Sequence, residues 1–258
     1  MSGDLKIDQR RKKIVEQLNR DGVIRIKDLS EEFGASSVTI RADLAVLEKD
    51  GFLERTTGGA VLTIKNSYKA DFLQRKQTNF SLKKTIAQKV SDMIPDGSTL
   101  IMNSGTTTYF VAEELKKRKR LNVVTNSVDV ALELGCQPSM RVILLGGEIN
   151  AQYAFTYGSD ALEEMKNYKA DFAVISIDGI GEDVGLTTLH PEEASVVRGM
   201  LARSRHAFVV ADSTKYGHEG FSFISDITEN ITWVTDSSLS ESIAEKYKKA
   251  GNDLITAR

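Results

Sequence analysis

A succession of short, continuously apolar runs in the C-terminal part, at residues 98–102, 121–125, 141–145, 172–177, 207–211 and 231–235, restricts the fold of this chain more than any other feature. Each is the length of one strand, and helical patterns fill most of the intervals. A half-exposed strand alternates apolar and polar residues, whereas a strand buried on both faces reads as an unbroken apolar run. Buried strands separated by helices are expected to form a central, mostly parallel sheet, an α/β domain over residues 81–258. In such a sheet ligands sit at the carboxyl ends of the strands. The residues directly after each run are therefore the binding candidates.

The first run leads into Asn103-Ser104-Gly105-Thr106-Thr107-Thr108 and then a helix carrying Val111, Ala112 and Leu115. Backbone N–H groups and hydroxyls converge at such a junction, and the helix dipole favours an anion. A plain N-cap needs one hydroxyl and no ligand; a run of hydroxyls around one glycine favours phosphate. Asn126-Ser127, Gly146-Gly147-Glu148, Asp178-Gly179 and Asp212-Ser213-Thr214-Lys215 follow the later runs. Each alone reads as an ordinary turn, but their shared position makes them candidates to ring one pocket. Asp178 would accept hydrogen bonds from sugar hydroxyls, and Lys215 would neutralise phosphate as a mobile point charge.

The N-terminal residues have a different texture. Ile14, Val15 and Leu18 predict an amphipathic helix over residues 8–19, closed by Asp21-Gly22. Residues 23–26 suit a short strand or the lead into a second helix that buries Leu29 and Phe33 and breaks at Gly34-Ala35. A third helix starts at Ser36 or Ser37, with Ser37 the expected N-cap, and stops at Asp50-Gly51. Residues 52–56 and 60–64 read as strands around the turn Thr57-Gly58-Gly59. Three helices and a β-hairpin make a winged helix-turn-helix over residues 1–64, followed by a polar linker, residues 65–80.

Within the third helix, Val38, Ile40, Leu44 and Leu47 are expected to pack, while Ser36, Ser37, Thr39 and Arg41 meet phosphates or base edges. Arg10 and Arg11 open the first helix, which in this motif crosses the DNA backbone. Arg55 adds charge at the wing, where Gly58 and Gly59 allow close approach to a phosphate. Asp43 would be repelled by phosphates, so it is expected to orient an arginine or cap structure within the domain.

The chain resembles the DeoR family of transcriptional regulators. The resemblance rests on Arg10, Ile14 and Leu18, then Ser36 with Thr39-Ile40-Arg41-Ala42-Asp43-Leu44, then the wing's Arg55 and Gly58-Gly59-Ala60. It continues through Ser104-Gly105-Thr106-Thr107, Thr125-Asn126-Ser127, Gly146-Gly147, Asp178-Gly179 and Ala211-Asp212-Ser213 with Lys215. It implies a Rossmann-like sensor domain similar to ribose-5-phosphate isomerase, a phosphorylated sugar as effector, and repression of a carbohydrate-catabolism operon. It also places the helix that begins at Glu192-Glu193 near the pocket. The family commonly carries Asp where this chain has Asn103.

Composition sets the remaining bounds. A net charge of -2 gives no global nucleic-acid signature, so the DNA-binding surface must be local. The lone Cys136 excludes an intrachain disulfide, and His190, His206 and His218 lack the spacing of a ligand pair, so neither a metal nor a cofactor is expected. The polar N-terminus and the lack of any membrane-length apolar run predict a cytoplasmic protein. Trp233 reads as core, and the basic run at residues 116–120 as a solvated helix end. A single winged module makes few contacts, so double-stranded operator DNA implies a homo-oligomer, a dimer or tetramer. The competing reading is a sugar-phosphate isomerase with an accessory domain, using Asp178 or Glu192 as base. An incomplete acid–base set argues for a protein that is not an enzyme.

Overall fold

The computed structural model describes residues 2–62, 72–181 and 183–258. The chain divides into two compact units between Arg75 and Lys76. The first contains α1 (Ser2–Asp21), β1 (Val23–Arg25), α2 (Ile26–Phe33), α3 (Ser37–Lys49), β2 (Glu54–Thr56) and β3 (Gly59–Val61). The ambiguous stretch at 23–26 is both things in turn, a strand that runs directly into α2. The strands pair antiparallel in the order β1-β3-β2, so the wing is tied back to the start of α2. Ile14, Leu18, Leu29, Ile40, Leu44 and Leu47 close one core with Leu53 and Ala60.

α1 begins at Ser2 rather than Asp8, so Arg10 and Arg11 lie within it and do not open it, and two further details differ from the expectation. Ser36, not Ser37, is the N-cap of α3: its backbone is extended and its Oγ accepts Thr39 N at 3.1 Å. Val38 does not pack; it is 72% exposed, because it lies two residues before Ile40 and so on the opposite side of the helix. The expected end of the wing strand, Thr63 and Ile64, and linker residues up to 71 lie outside the described residues. Residues 72–77 are helical.

From there the chain runs α4 (Phe80–Met93), β4 (Thr99–Met102), α5 (Thr106–Leu115), β5 (Asn122–Thr125), α6 (Val128–Gly135) and β6 (Arg141–Leu144). A hairpin, β7 (Glu148–Asn150) and β8 (Phe155–Tyr157), precedes α7 (Ser159–Met165) and β9 (Ala170–Ile175). Then come β10 (Gly179–Gly181), β11 (Gly185–Thr188), α8 (Pro191–Ala202), β12 (Ser204–Val210), β13 (Ser222–Ser225), β14 (Ile231–Asp236), α9 (Glu241–Lys249) and β15 (Asp253–Ala257).

The central sheet has seven strands in the order β15-β14-β12-β9-β4-β5-β6, and every neighbouring pair is parallel. Alternate residues of one strand feed opposite faces: Ile101 enters one apolar cluster, Leu100 and Met102 the other. That double burial is why the runs of the interior strands carry no polar alternation; β6, at the sheet edge, is apolar although its Leu144 is exposed. Trp233 is core as expected, with its Nε1 donating to Ala211 O at 2.9 Å. The basic run is ion-paired, Lys116 to Glu133 and Lys117 to Glu114, while Arg118 donates to Ser91 O at 2.8 Å. The chain steps outward from β4 through β5 to β6, then returns to lay β9 on the other side of β4. The order therefore reverses between β4 and β9, which is where an open α/β sheet leaves a crevice.

Candidate effector site and DNA-reading face

The loops after β4 and β9 are stapled together by one fully buried amide. Asn103 Oδ1 accepts Ser176 N at 2.8 Å, and Asn103 Nδ2 donates to Ser176 O at 2.9 Å and to Glu193 Oε1 at 3.3 Å. The Ser176 hydroxyl donates to Ser104 O at 3.0 Å, and Thr108 Oγ1 lies 3.0 Å from it. An ionised aspartate could make none of the donor contacts, and it would face the Glu193 carboxylate. The amide at 103 therefore fits its surroundings without a charge.

Gly105 begins α5 in a conformation reserved for glycine, φ 151 and ψ 155. A Cβ there would lie 1.8 Å from Ser176 Oγ. Among the described residues no side chain caps this helix, and Tyr109 N, bonded to Gly105 O at 2.8 Å, makes the first intrahelical hydrogen bond. The N–H groups of the first turn therefore point at the crevice beside the largely buried hydroxyls of Thr106 and Thr107. That is the chemistry of an anion cradle.

A chain of polar contacts extends from the cradle. Glu193 Oε2 lies 2.9 Å from Thr188 Oγ1, which is 3.0 Å from Asp178 Oδ2. Asp178 also accepts Leu189 N at 2.9 Å, and its other oxygen is 3.7 Å from Lys215 Nζ. Asn103, Asp178 and Lys215 are thus brought together through Ser176, Thr188 and Glu193. Neither Ser176 nor Thr188 carries a sequence signal of its own, and Glu193 is placed near the pocket only by the family resemblance. Ser176 and Glu193 sit 73 and 90 residues from Asn103, whereas Thr188 is 10 from Asp178 and 5 from Glu193, and only a strand end or a helix start marks them.

The other candidates fall into two groups. Ser104 Oγ donates to Tyr153 O at 3.1 Å, and the Tyr153 ring packs on His190 at 4.4 Å, so the β7–β8 turn comes over Ser104. Asn126 Nδ2 donates to Thr156 O at 2.9 Å, and its buried Oδ1 accepts nothing among the described residues. Ser127 Oγ caps α6 by accepting Val130 N at 3.3 Å. Gly146 N donates to Glu164 at 2.8 Å, and a Cβ on Gly147 would lie 2.3 Å from Tyr157 O. Those two glycines hold the hairpin against α7, and no described contact joins them to the Asn103 network. Gly179 admits His218 O, which a Cβ would meet at 2.1 Å, so the loop bearing Lys215 closes over β10.

In the first unit, the carboxylate of Asp43 is 2% exposed and accepts Arg10 Nε at 2.6 Å and Arg11 Nε at 2.9 Å. The expectation for Asp43 is met by the same arginines that were expected at DNA. Arg55 Nε pairs with Glu48 at 2.7 Å, and the hydroxyls of Ser36 and Thr39 meet at 2.9 Å. A Cβ on Gly59 would lie 1.9 Å from Ile24 O, so this glycine serves the β1–β3 pairing. Gly58 O accepts Ile26 N at 2.9 Å. Ser37 and Arg41 are exposed and have no partner among the described residues; with Lys27, Ser30 and Gly58 they line a cleft of about 390 Å³.

Residues 10–65 match the DeoR-like helix-turn-helix domain, and residues 78–237 match the DeoR C terminal sensor domain. The chain belongs to the DeoR family of transcriptional regulators. The glycerol-3-phosphate regulon repressor of Escherichia coli (strain K12) is 34% identical, covering 83% of this chain and 84% of that protein. The lactose phosphotransferase system repressor of Lactococcus lactis subsp. lactis is 32% identical over 93% of this chain and 95% of its own length. Among solved structures, ribose 5-phosphate isomerase from Plasmodium falciparum is similar with a TM-score of 0.41 and 18% identity, covering 55% of each chain. Among the described residues no helix is long and apolar enough to cross a membrane.

In this DeoR-family chain the turn bearing Lys215 depends on a buried acid. Asp236 accepts Ser213 N at 2.7 Å and Ser238 N at 2.8 Å. Burial alone would raise its pKa, but the backbone donors of Ser213 and Ser238 hold the carboxyl below the ordinary range. A depressed carboxylate stabilises the fold above the ordinary aspartate range, and that contribution is lost as pH falls through the folded value. The melting temperature of the second unit is therefore expected to drop steeply below about pH 4. In Asp236→Asn it starts lower and declines less, which thermal melts across pH would read directly.

Proposed function

We propose that this protein represses a carbohydrate-utilisation operon. It binds double-stranded operator DNA as a homo-oligomer, a dimer or tetramer, and leaves it when a phosphorylated sugar fills the crevice between the ends of β4 and β9. Residues 1–64 form the DNA-binding domain, 65–80 the linker and 81–258 the effector domain. The observation that carries the effector is the uncapped start of α5 at Gly105, set beside the Asn103–Glu193–Thr188–Asp178–Lys215 chain. The cradle takes phosphate, Lys215 adds a cation, and Asp178 and Glu193 offer acceptors to sugar hydroxyls. Both named relatives are, by name, repressors tied to a phosphorylated metabolite or a phosphotransferase system, which supports the same class of effector. The protein works in the cytoplasm as a regulator rather than an enzyme: Asp178, one of the two acids nominated as a base, is already engaged by Thr188, Leu189 and Lys215.

The test is a gel shift on the promoter upstream of the protein's own gene, at fixed salt, with a panel of sugar phosphates. One is expected to release the DNA through a coupling of about 1–3 kcal/mol. Release by none of them overturns the effector assignment, and turnover of ribose 5-phosphate at ordinary enzymatic rates overturns the regulator-only reading. Arg41→Ala is expected to weaken operator binding by about 10-fold or more, on the scale of one bidentate base contact, with sugar-phosphate affinity unchanged. An identical footprint would remove Arg41 from recognition.

A further inference from the structure

The exposed face of α3 carries two parallel ridges of different chemistry. Ser37 and Arg41 form one, at i and i+4; Val38 and Ala42 form the other at the same spacing, and all four are exposed. Val38 leaves 72% of its surface in water, although the core residues Ile40, Leu44 and Leu47 come from the same helix. Valine is stiff at χ1, so its methyls are held in place rather than free to fold away. In the DNA major groove the base edges offer hydrogen-bonding groups at every pair but only one apolar group, the C5-methyl of thymine. An apolar ridge beside an arginine ridge therefore has one complement there.

We propose that Val38, with Ala42 one turn behind it, reads thymine methyl groups in the operator half-site, beside the base or phosphate met by Arg41. The inference rests on the reading that α3 enters the major groove. The charge of the flank argues for DNA rather than a protein partner: Arg41 on the neighbouring ridge and Lys27 in the adjoining cleft outnumber the one acid there, Glu31, so the flank is net positive. The apolar ridge forms no hydrogen bond, so its contribution to specificity comes from contact with the methyl alone.

The test begins with duplexes enriched from a random pool by the full-length chain. Each thymine of the enriched half-site is then replaced singly by uracil, which removes only the C5-methyl. At one or two positions the loss is expected to be about four-fold in affinity, the worth of one buried methyl. Val38→Ser is expected to bind the thymine site more weakly and to show no further loss on the uracil site, since the two changes remove the same contact. Val38 lies outside the core, so Val38→Ser should melt at the wild-type temperature. Uracil tolerated at every position, or an undiminished uracil penalty in Val38→Ser and Ala42→Ser alike, overturns the proposal. If enrichment succeeds and Arg41→Ala still loses affinity, that failure belongs to the thymine contact alone. A pool that yields no enriched sequence overturns the DNA-reading role of α3 as well.

Discussion

Alanine in place of Gly105 is expected to abolish the effector response while leaving operator binding intact. Two independent costs fall on the same atom. The backbone at φ 151 and ψ 155 is a region that only glycine occupies cheaply, worth about 1–3 kcal/mol. The new Cβ would also lie 1.8 Å from Ser176 Oγ and 2.9 Å from Ser176 Cβ. Ser176 cannot step aside freely: its backbone holds both ends of the Asn103 amide, and its hydroxyl bonds Ser104 O. The start of α5 must therefore move away from β9, and the anion cradle moves with it. A displacement near 1 Å takes N–H···O contacts out of hydrogen-bonding range, and losing one such bond to a charged group, about 1.5–3 kcal/mol, costs about 10- to 100-fold in affinity. Calorimetric titration with the releasing sugar phosphate should show affinity reduced by that factor or lost, while gel shifts without sugar match the wild type. Gly135→Ala is the control, because a Cβ there meets nothing within 4 Å. A Gly105→Ala chain that still lets go of DNA at wild-type sugar concentrations would remove the α5 start from the effector site.

The parts of this fold that were legible in the sequence share a physical cause. Strands β4, β5, β9, β12 and β14 lie inside the sheet, covered on both faces, and so wrote unbroken apolar runs. Strand β15 is an edge strand with partial burial; Asp253 begins it, paired to Thr232 of β14, and its mixed composition carried no signal. β10 and β11 are short and rich in glycine and threonine, and their burial shows only once β13 closes over them. The rule that ligands sit after strand ends found Asn103, Asp178 and Lys215, because it depends on topology rather than on side chains. It could not find Thr188, at the end of a strand outside the main sheet, or Glu193, on a helix that reaches Asn103 across the fold. Two adjacent serines give the same capping signal, and only the extended backbone at Ser36 decides between them. Val38 was readable in principle: Ile40, Leu44 and Leu47 recur at helical spacing, and a residue two before Ile40 cannot share their face. Its letter suggested core, while its position pointed away from it.

The stability of the DNA-binding unit is expected to fall most on Asp43→Ala. The carboxylate is 2% exposed and binds two guanidiniums that keep 19% and 29% of their side-chain surface in water. Removing it leaves two half-buried cations side by side on α1, turned toward α3 with no counter-charge. The expected loss is about 3 kcal/mol, the low end for a broken buried pair because both arginines retain some hydration. That is a large share of the stability of a small domain. In differential scanning calorimetry the transition of the first unit should move down, while that of the second unit, and its stabilisation by sugar phosphate, stay where they are. An unmoved first transition would mean that the ion pairs carry no net stability. A second variant separates the two jobs of the arginines. Replacing Asp43 by Ala together with Arg10→Met and Arg11→Met removes the buried charges as a set, so the first transition should recover. Recovered stability with full operator affinity would confine Arg10 and Arg11 to the fold. Recovered stability with affinity still reduced, and a shallower dependence on salt, would show that the remaining guanidinium hydrogens also reach the phosphate backbone. The second result is the expected one: Asp43 engages Nε of each arginine, and neither terminal nitrogen pair has a described protein partner.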